Sequence, residues 1–327
     1  MAKFEVIIPY FQRKPGLLLR ALKSVFAQDV KDLKIIVVDD GSPRCAHLDM
    51  AALPAVEQAR VKLIRQKNAG ATAARNRALE NISEDAQYVA FLDSDDEWMP
   101  DHLARAAKAL RQTDAVLFHD AIEIDQGFAE GYAAASSILD QEDVKILSET
   151  PKLMRVDTPL NVMAGEWFRH LHLSVTVIRA DLARSTRFSK SFQLAEDFEF
   201  FCQCAIAGGR WVIDEEIGAR RGDGLNIWHG TETSDKRYSQ EKYFTLRALK
   251  KLQRTPELQP KTRQKVSDRI ALYREQFYWA QRARLRANKP PNLDLWIKLL
   301  VRDPGAIAFV LSHLVARSSK SPAPASD

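Results

Sequence analysis

Short apolar runs alternate with stretches of helical periodicity through the first hundred or so residues of the chain. The runs lie at residues 4–9, 34–38, 61–64, 88–92 and 115–118. Between them, apolar residues recur at helical spacing over residues 18–26, 69–79 and 102–110. A run that is apolar throughout is typical of a strand buried on both faces. The alternation therefore predicts β-α-β units around a mainly parallel sheet flanked by helices, which is an α/β fold.

The middle of the chain is less regular. Residues 120–175 carry no clear period. Residues 196–207 return as a helix, which Gly208-Gly209 ends. Residues 210–236 are rich in Arg, Gly and Asp and have the composition of a loop.

The C-terminal part is helical and basic over residues 239–288, and Pro290-Pro291 ends that pattern. Two short apolar stretches with basic flanks follow at 295–301 and 306–315. An interfacial helix on an anionic membrane has this pattern, and so do two helices that pack on a domain. Neither stretch reaches the roughly 18 apolar residues that a spanning helix needs. We expect an α/β domain at 1–238, a helical extension that could contact a membrane at 239–317 and a disordered tail at 318–327.

A cluster of acids follows one of the predicted strands. Asp93-Ser94-Asp95-Asp96 comes directly after the run at 88–92, where the chain leaves the sheet and where open α/β sheets bind ligands. Asp93 and Asp95 are two residues apart, so on an extended chain their carboxylates point the same way. Two such carboxylates repel unless a cation lies between them, and Mg²⁺ or Mn²⁺ also bridges to phosphates. The cluster predicts a substrate carried on a nucleoside diphosphate.

Two further acidic pairs have a structural and a functional interpretation. Asp39-Asp40 follows the strand at 34–38; it is either a tight turn or an acceptor for a nucleobase or ribose. Glu196-Asp197 lies in the first turn of a predicted helix. It is either the pair of acids that a helix N-terminus favours or the source of a general base.

Five segments, taken together, resemble the motifs of inverting family 2 glycosyltransferases in identity and order. They are Val6-Ile7-Ile8-Pro9-Tyr10, Val37-Val38-Asp39-Asp40-Gly41-Ser42, Asn68-Ala69-Gly70 with Ala74-Arg75-Asn76, Phe91-Leu92-Asp93-Ser94-Asp95-Asp96, and Glu196-Asp197. The resemblance covers about residues 3–230 and implies the GT-A fold. Within that family the opening strands are similar to those of bacterial exopolysaccharide glucosyltransferases of the succinoglycan type.

The resemblance implies a role for each matching residue. Binding of the nucleotide sugar would fall to Pro9, Tyr10, Asp40, Arg75, Asp93 and Ser94. Asp40 would accept from the uracil N3–H. Asp95 and His229 would hold Mn²⁺ or Mg²⁺ on the diphosphate, and Asp197 would be the catalytic base.

Composition limits the partners. A net charge of +5 and a pI near 9.0 fit an anionic substrate or membrane surface but are too small to indicate nucleic acid. The cysteines, Cys45, Cys202 and Cys204, do not make a disulfide framework, and the N-terminus lacks a signal-peptide pattern. We expect a cytoplasmic protein that could contact the inner membrane from that side.

The expected function is transfer of glucose from UDP-glucose to a growing, lipid-linked saccharide of an exopolysaccharide, with inversion to a β-linkage. UDP-galactose and UDP-N-acetylhexosamine remain open as donors. A non-catalytic nucleotide-sugar-binding subunit of a polysaccharide assembly complex is a second class, although such a subunit has no need to keep Asp93, Asp95 and Asp197. Trp167, Trp211 or Trp228 could stack on an acceptor sugar, but each is more often a core residue.

Overall fold

The computed structural model describes residues 3–125, 128–130, 143–150, 152–165, 171–192, 194–222 and 232–309. Its strands are β1 Phe4–Tyr10, β2 Leu33–Asp39, β3 Val61–Arg65, β4 Tyr88–Phe91, β5 Glu97–Trp98, β6 Ala115–Asp125, β7 Phe128–Glu130, β8 Val144–Glu149, β9 Lys152–Val156, β10 Thr176–Arg179 and β11 Arg210–Arg220. Its helices are α1 Leu17–Phe26, α2 His47–Met50, α3 Ala55–Gln58, α4 Ala71–Leu79, α5 His102–Gln112, α6 Pro159–Ala164, α7 Ala180–Ser185, α8 Glu196–Ile206, α9 Lys236–Gln253, α10 Pro260–Arg286 and α11 Leu293–Arg302.

One sheet runs through the molecule in the order β3-β2-β1-β4-β10-β6-β11-β9-β8. The first four strands of this order are parallel to one another, as the alternation of apolar runs predicts. β10 then inserts antiparallel between β4 and β6, and β11 pairs parallel with β6. The carboxyl ends of β1, β2 and β4 therefore meet at one edge of the sheet.

The core lies on both faces of this sheet, because the strands alternate their side chains between the faces. Val6, Ile8 and Val37 face a cluster with helices α1 and α5. Ile7 and Phe91 face a second cluster, which also contains the buried faces of the C-terminal helices.

The region without a clear sequence period contains regular structure. Residues 120–175 contribute the end of β6, the hairpin of β8 and β9, and helix α6. The hairpin is largely half-buried or exposed, so its residues lack the apolar runs by which the inner strands are recognised. The fully buried Trp211 is a core residue, as its more common interpretation predicts.

The prediction of a loop over residues 210–236 is wrong for its first part, which is strand β11. Two of the charges that concealed this strand have partners. Asp214 accepts from Arg105 Nη1 at 2.5 Å, and Arg220 Nε donates to Glu123 at 2.6 Å. The buried Asp214 is tolerated in the strand because it has such a partner, whereas Arg220 is largely exposed.

The helical pattern over 239–288 is two helices rather than one. α9 ends at Gln253, and α10 begins at Pro260, which occupies the first helical position where a proline needs no N–H partner. The tail predicted to be disordered at 318–327 lies outside the described residues. Within the described ranges, no helix combines the length and apolarity needed to cross a bilayer. The boundary at residue 238 stays a prediction.

Candidate active site

A pocket of about 690 Å³ opens at the carboxyl ends of β1, β2 and β4. It brings together residues from widely separated parts of the chain. Those predicted from the sequence that line it are Pro9, Tyr10, Asp40, Arg75, Asp93, Ser94, Asp95 and Asp197. His229 lies outside the described residues.

Asp40 ties the end of β2 to the turn before α4. Its Oδ1 accepts from Ala69 N–H at 2.9 Å and from Gln66 Nε2 at 2.7 Å, and its Oδ2 accepts from Gly70 N–H at 2.7 Å. An ionised carboxylate has about four acceptor directions, so these three bonds leave one unused. Asp39, by contrast, is fully buried and only closes the local turn, through bonds from Ser42 N–H and Ala46 N–H.

The acids after β4 differ in their surroundings. Burial alone would raise the pKa of Asp93, but the Arg75 guanidinium, 2.7 Å away, holds that pKa below its ordinary value. Burial, aided by the charges of Asp96 and Asp93, raises the pKa of Asp95 to about 7. Burial also raises the pKa of Asp96, whose carboxylate accepts from Ser174 Oγ at 2.6 Å and from Gly222 N–H at 3.0 Å.

This acidic cluster fits a divalent cation on the chemistry of its donors. Asp93, Asp96 and His172 each offer one ligand atom, and these atoms lie within 4.8 Å of one another. Carboxylate oxygens are the ligands that Mg²⁺ prefers. A cation would also favour the ionised forms of Asp95 and Asp96, which burial disfavours. Asp95 is not in the three-residue group, so its role as a ligand stays a prediction.

His172 joins the cluster with one ring nitrogen already engaged. Its Nδ1 accepts from Ser174 N–H at 3.2 Å, and the backbone N–H of His172 donates to His119 Nε2 at 3.0 Å. A neutral ring whose Nδ1 accepts carries its proton on Nε2. Coordination through Nε2 would require the other tautomer and the loss of the Ser174 bond. The carboxylates are therefore the better-prepared ligands.

Arg75 lies between the two acidic motifs. Its side chain is only 7% exposed, and its guanidinium lies 2.7 Å from Asp93 and 3.6 Å from Glu196. The guanidinium also lies 5.5 Å from the centre of the Phe188 ring. Arg75 thus holds Asp93, two residues after β4, and Glu196, the first residue of α8, around one buried positive charge.

Glu196 and Asp197 begin α8 at the pocket. The preceding residue, Ala195, has a left-handed backbone with φ of 57°, which turns the chain into the helix. Asp197 Oδ1 accepts from the N–H of Phe198 at 2.7 Å. Burial, together with the charge of Asp197, raises the pKa of Glu196 to about 7. Both acids line the pocket, but of the two only Glu196 lies within ion-pair distance of Arg75.

Several pocket residues escaped prediction. His172 lines the pocket, and Ser174 donates to Asp96 behind it. Both precede β10 in the region without a sequence period, so no local pattern marks them. Glu241, Lys242, Thr245 and Tyr273 come from α9 and α10 and line the pocket as well. Their lining role depends on how these helices pack, which the sequence does not reveal. Arg221, directly after β11, also lines it.

Comparison with known sequences identifies a family and relatives of this chain. The pattern of the family described as Glycosyl transferase family 2 matches residues 5–170. The chain is 37% identical to the succinoglycan biosynthesis protein ExoW of Rhizobium meliloti (strain 1021), over 98% of this chain and 100% of that protein. It is 27% identical to the GalNAc(5)-diNAcBac-PP-undecaprenol beta-1,3-glucosyltransferase of Campylobacter jejuni, over 59% of this chain and 56% of that protein.

Comparison with solved structures gives the fold. Staphylococcus aureus TarS 1-349 in complex with UDP-GlcNAc aligns with a TM-score of 0.59 at 16% identity, covering 84% of this chain and 69% of that one. The mannosyltransferase PcManGT of Pyrobaculum calidifontis, in complex with GDP-Man and Mn²⁺, aligns with a TM-score of 0.57 at 17% identity, covering 97% and 86%. The predicted GT-A type of α/β fold is thereby confirmed.

Proposed function

This chain belongs to glycosyl transferase family 2, and from that premise we propose that it transfers glucose from UDP-glucose to a growing, lipid-linked saccharide of a bacterial exopolysaccharide, with inversion. That it is a glycosyltransferase follows from the family. The exopolysaccharide is supported by the 37% identical relative, which is named for succinoglycan biosynthesis. Glucose is supported by the relative named as a beta-1,3-glucosyltransferase.

The observation that carries the proposal is that one and the same pocket holds Asp197 together with Asp93, Asp95 and Asp96. Transfer requires two things of a site. Negative charge develops on the departing diphosphate, and a proton must leave the attacking hydroxyl. The cluster after β4 suits the first requirement, and a carboxylate at the start of α8 suits the second.

In the proposed reaction, Asp197 takes the proton of the acceptor hydroxyl while that oxygen bonds to the anomeric carbon. The bond from that carbon to the diphosphate breaks in the same step, and UDP leaves with the electron pair. Because a single displacement attacks from the face opposite the leaving group, an α-linked donor gives a β-linked product.

Mn²⁺ or Mg²⁺ is the cofactor that fits the acidic cluster. Held by Asp95 with Asp93 or Asp96, it would act as a Lewis acid on the diphosphate. Asp40, with one acceptor direction free, and the walls at Pro9 and Tyr10 suit the nucleobase end of the pocket.

Contact with the membrane is part of the proposal and is supported by α11. Leu295 and Leu299 of this helix are buried against the protein. Leu293, Ile297 and Val301 lie along its other side and are 64%, 64% and 77% exposed. An exposed apolar stripe on a helix with basic neighbours is typical of an interfacial helix, and here it would bring the pocket to a lipid-linked acceptor.

The test is calorimetric titration with UDP, with and without Mn²⁺, followed by turnover of UDP-glucose, UDP-galactose and UDP-N-acetylglucosamine. We expect UDP binding that Mn²⁺ strengthens, and turnover of UDP-glucose above the others. Turnover of another sugar alone would replace the donor. UDP binding without turnover of any sugar would instead support a non-catalytic subunit.

A further inference from the structure

The active-site pocket has a wall that lies outside the segment matched by the family pattern. Glu241, Lys242 and Thr245 of α9 and Tyr273 of α10 form it. Glu241 lies 2.6 Å from Lys242 Nζ and accepts from Thr245 Oγ1 at 3.3 Å, so the wall presents a linked polar network with no net charge. Such a network suits the hydroxyl groups of a neutral sugar.

This wall is fixed to the helix that carries Asp197. Lys251 of α9 lies 2.5 Å from the buried Glu199 of α8. The Phe244 ring of α9 also lies 6.0 Å from that of Phe192, four residues before α8 begins. A hydroxyl held by the wall would therefore keep a constant position relative to Asp197, as a general base requires.

A second cleft lies beside the pocket, on the other side of Lys242. The Nζ of Lys242 lies 5.3 Å from the centre of the Tyr273 ring, which lines the pocket, and 4.6 Å from that of Tyr238, which lines the cleft. The cleft has a volume of about 460 Å³ and is bounded by Tyr238, Leu272, Gln276 and Trp279 among others. Lys242 thus lies between a lining ring of each cavity.

The second cleft has the chemistry of a saccharide site. Trp279 is 44% exposed, and its indole Nε1 donates to Glu275 at 3.3 Å. Gln276 Oε1 is buried and has no hydrogen-bond partner among the described residues. A buried acceptor without a partner is costly, and a sugar hydroxyl would satisfy it. An exposed aromatic ring beside such polar groups suits the apolar face of a sugar ring.

We propose that the acceptor saccharide binds along α9 and α10, with its attacking sugar against the Lys242 wall and its preceding sugars in the Trp279 cleft. This inference rests on the proposed transferase function and identifies the second substrate of that same site. The growing chain would enter past Lys242 and present its terminal hydroxyl to Asp197.

The test uses the full chain and a water-soluble acceptor. Cells that lack this gene should accumulate its acceptor; the saccharide is released from their lipid extract by mild acid, so that membrane binding does not contribute. Acceptor KM, donor KM and UDP affinity are measured for Lys242→Met and Trp279→Ala. The controls are Lys236→Met in α9 and Leu285→Ala in α10, which remove exposed side chains that do not line either cavity.

We expect each test variant to raise the acceptor KM roughly tenfold, while donor KM and UDP affinity stay within twofold of the wild-type values. Unchanged UDP affinity also shows that the variants are folded. An acceptor KM within twofold of wild type in either test variant, or an equal rise in the controls, would overturn the inference. Failure of the wild-type protein to transfer at all would instead count against the proposed function.

Discussion

Arg75 is the residue on which the charge balance of the pocket depends. It is buried between Asp93 and Glu196, which belong to motifs a hundred residues apart. Its charge keeps Asp93 ionised, and these carboxylates in turn raise the pKa of the arginine against the effect of burial. Removing it would leave Asp93 and Glu196 without their nearest counterion.

We expect Arg75→Gln to lower the free energy of unfolding by about 3 kcal/mol, because the remaining carboxylates stay desolvated without the charge that compensates them. Arg77→Gln is the matched control, because Arg77 is on the same helix and pairs with Glu80 at an exposed site. That change should cost less than about 1 kcal/mol. Urea unfolding measures both, and equal losses would contradict the role given to Arg75.

Glu196 predicts a dependence of stability on pH. Its pKa is raised from 4.5 to about 7, so between these values the folded protein holds a proton that the unfolded chain releases. The free energy of unfolding must therefore fall as pH rises across this range. In Glu196→Gln, melting temperatures should fall less between pH 4.5 and 7 than in the wild type. The exposed Glu80→Gln serves as control, and parallel curves for wild type and Glu196→Gln would refute the assignment.

The sequence predicted the pocket residues that follow predicted strands or open a predicted helix, such as Asp40, Asp93 and Asp197. Parallel strands bring their carboxyl ends together, so position along the chain sufficed. His172 and Lys242 could not be predicted from the sequence. Their positions depend on how distant elements pack, and no local sequence pattern shows that these elements reach the pocket. The roles predicted for Asp95 and His229 as metal ligands stay predictions.

At the scale of elements, burial decided which strands could be recognised. β1, β2 and β4 are covered on both faces, and their sequences are therefore apolar runs. β11 carries Asp214 and Arg220, whose partners on α5 and β6 are remote in sequence, so its charges suggested a loop. Pattern reasoning fails where tertiary ion pairs make a charged strand acceptable.

α11 supplies a prediction at this scale. The triple variant Leu293→Ser, Ile297→Ser and Val301→Ser should bind phosphatidylglycerol-rich vesicles at least tenfold more weakly, because three exposed apolar side chains lose their contact with the bilayer. The matched control changes Leu48, Val56 and Ile146 to Ser, since these exposed apolar residues lie on other elements. Equal sedimentation of the two triple variants with the vesicles would exclude α11 as the contact.

At the scale of the whole molecule, the C-terminal helices form part of the core that surrounds the pocket. Tyr243, Leu249 and Phe277 share a hydrophobic cluster with Ile7 and Phe91 of the sheet. The helices thus do more than extend the α/β domain, because they also supply one wall of its site. Helical periodicity predicted that these helices exist but not where they pack.

The central claim is that this pocket transfers a sugar with Asp197 as the base, and Asp197→Asn tests it most directly. Asp181→Asn is the control, since Asp181 also lies in the first turn of a helix and accepts from the next N–H, at 2.8 Å, but does not line the pocket. We measure the transfer rate with the best UDP-sugar, and UDP affinity by calorimetry. The account predicts a loss of transfer of roughly 10² to 10⁴-fold in Asp197→Asn, with UDP affinity unchanged and Asp181→Asn fully active. Transfer that survives in Asp197→Asn, or is lost together with UDP affinity, would contradict it.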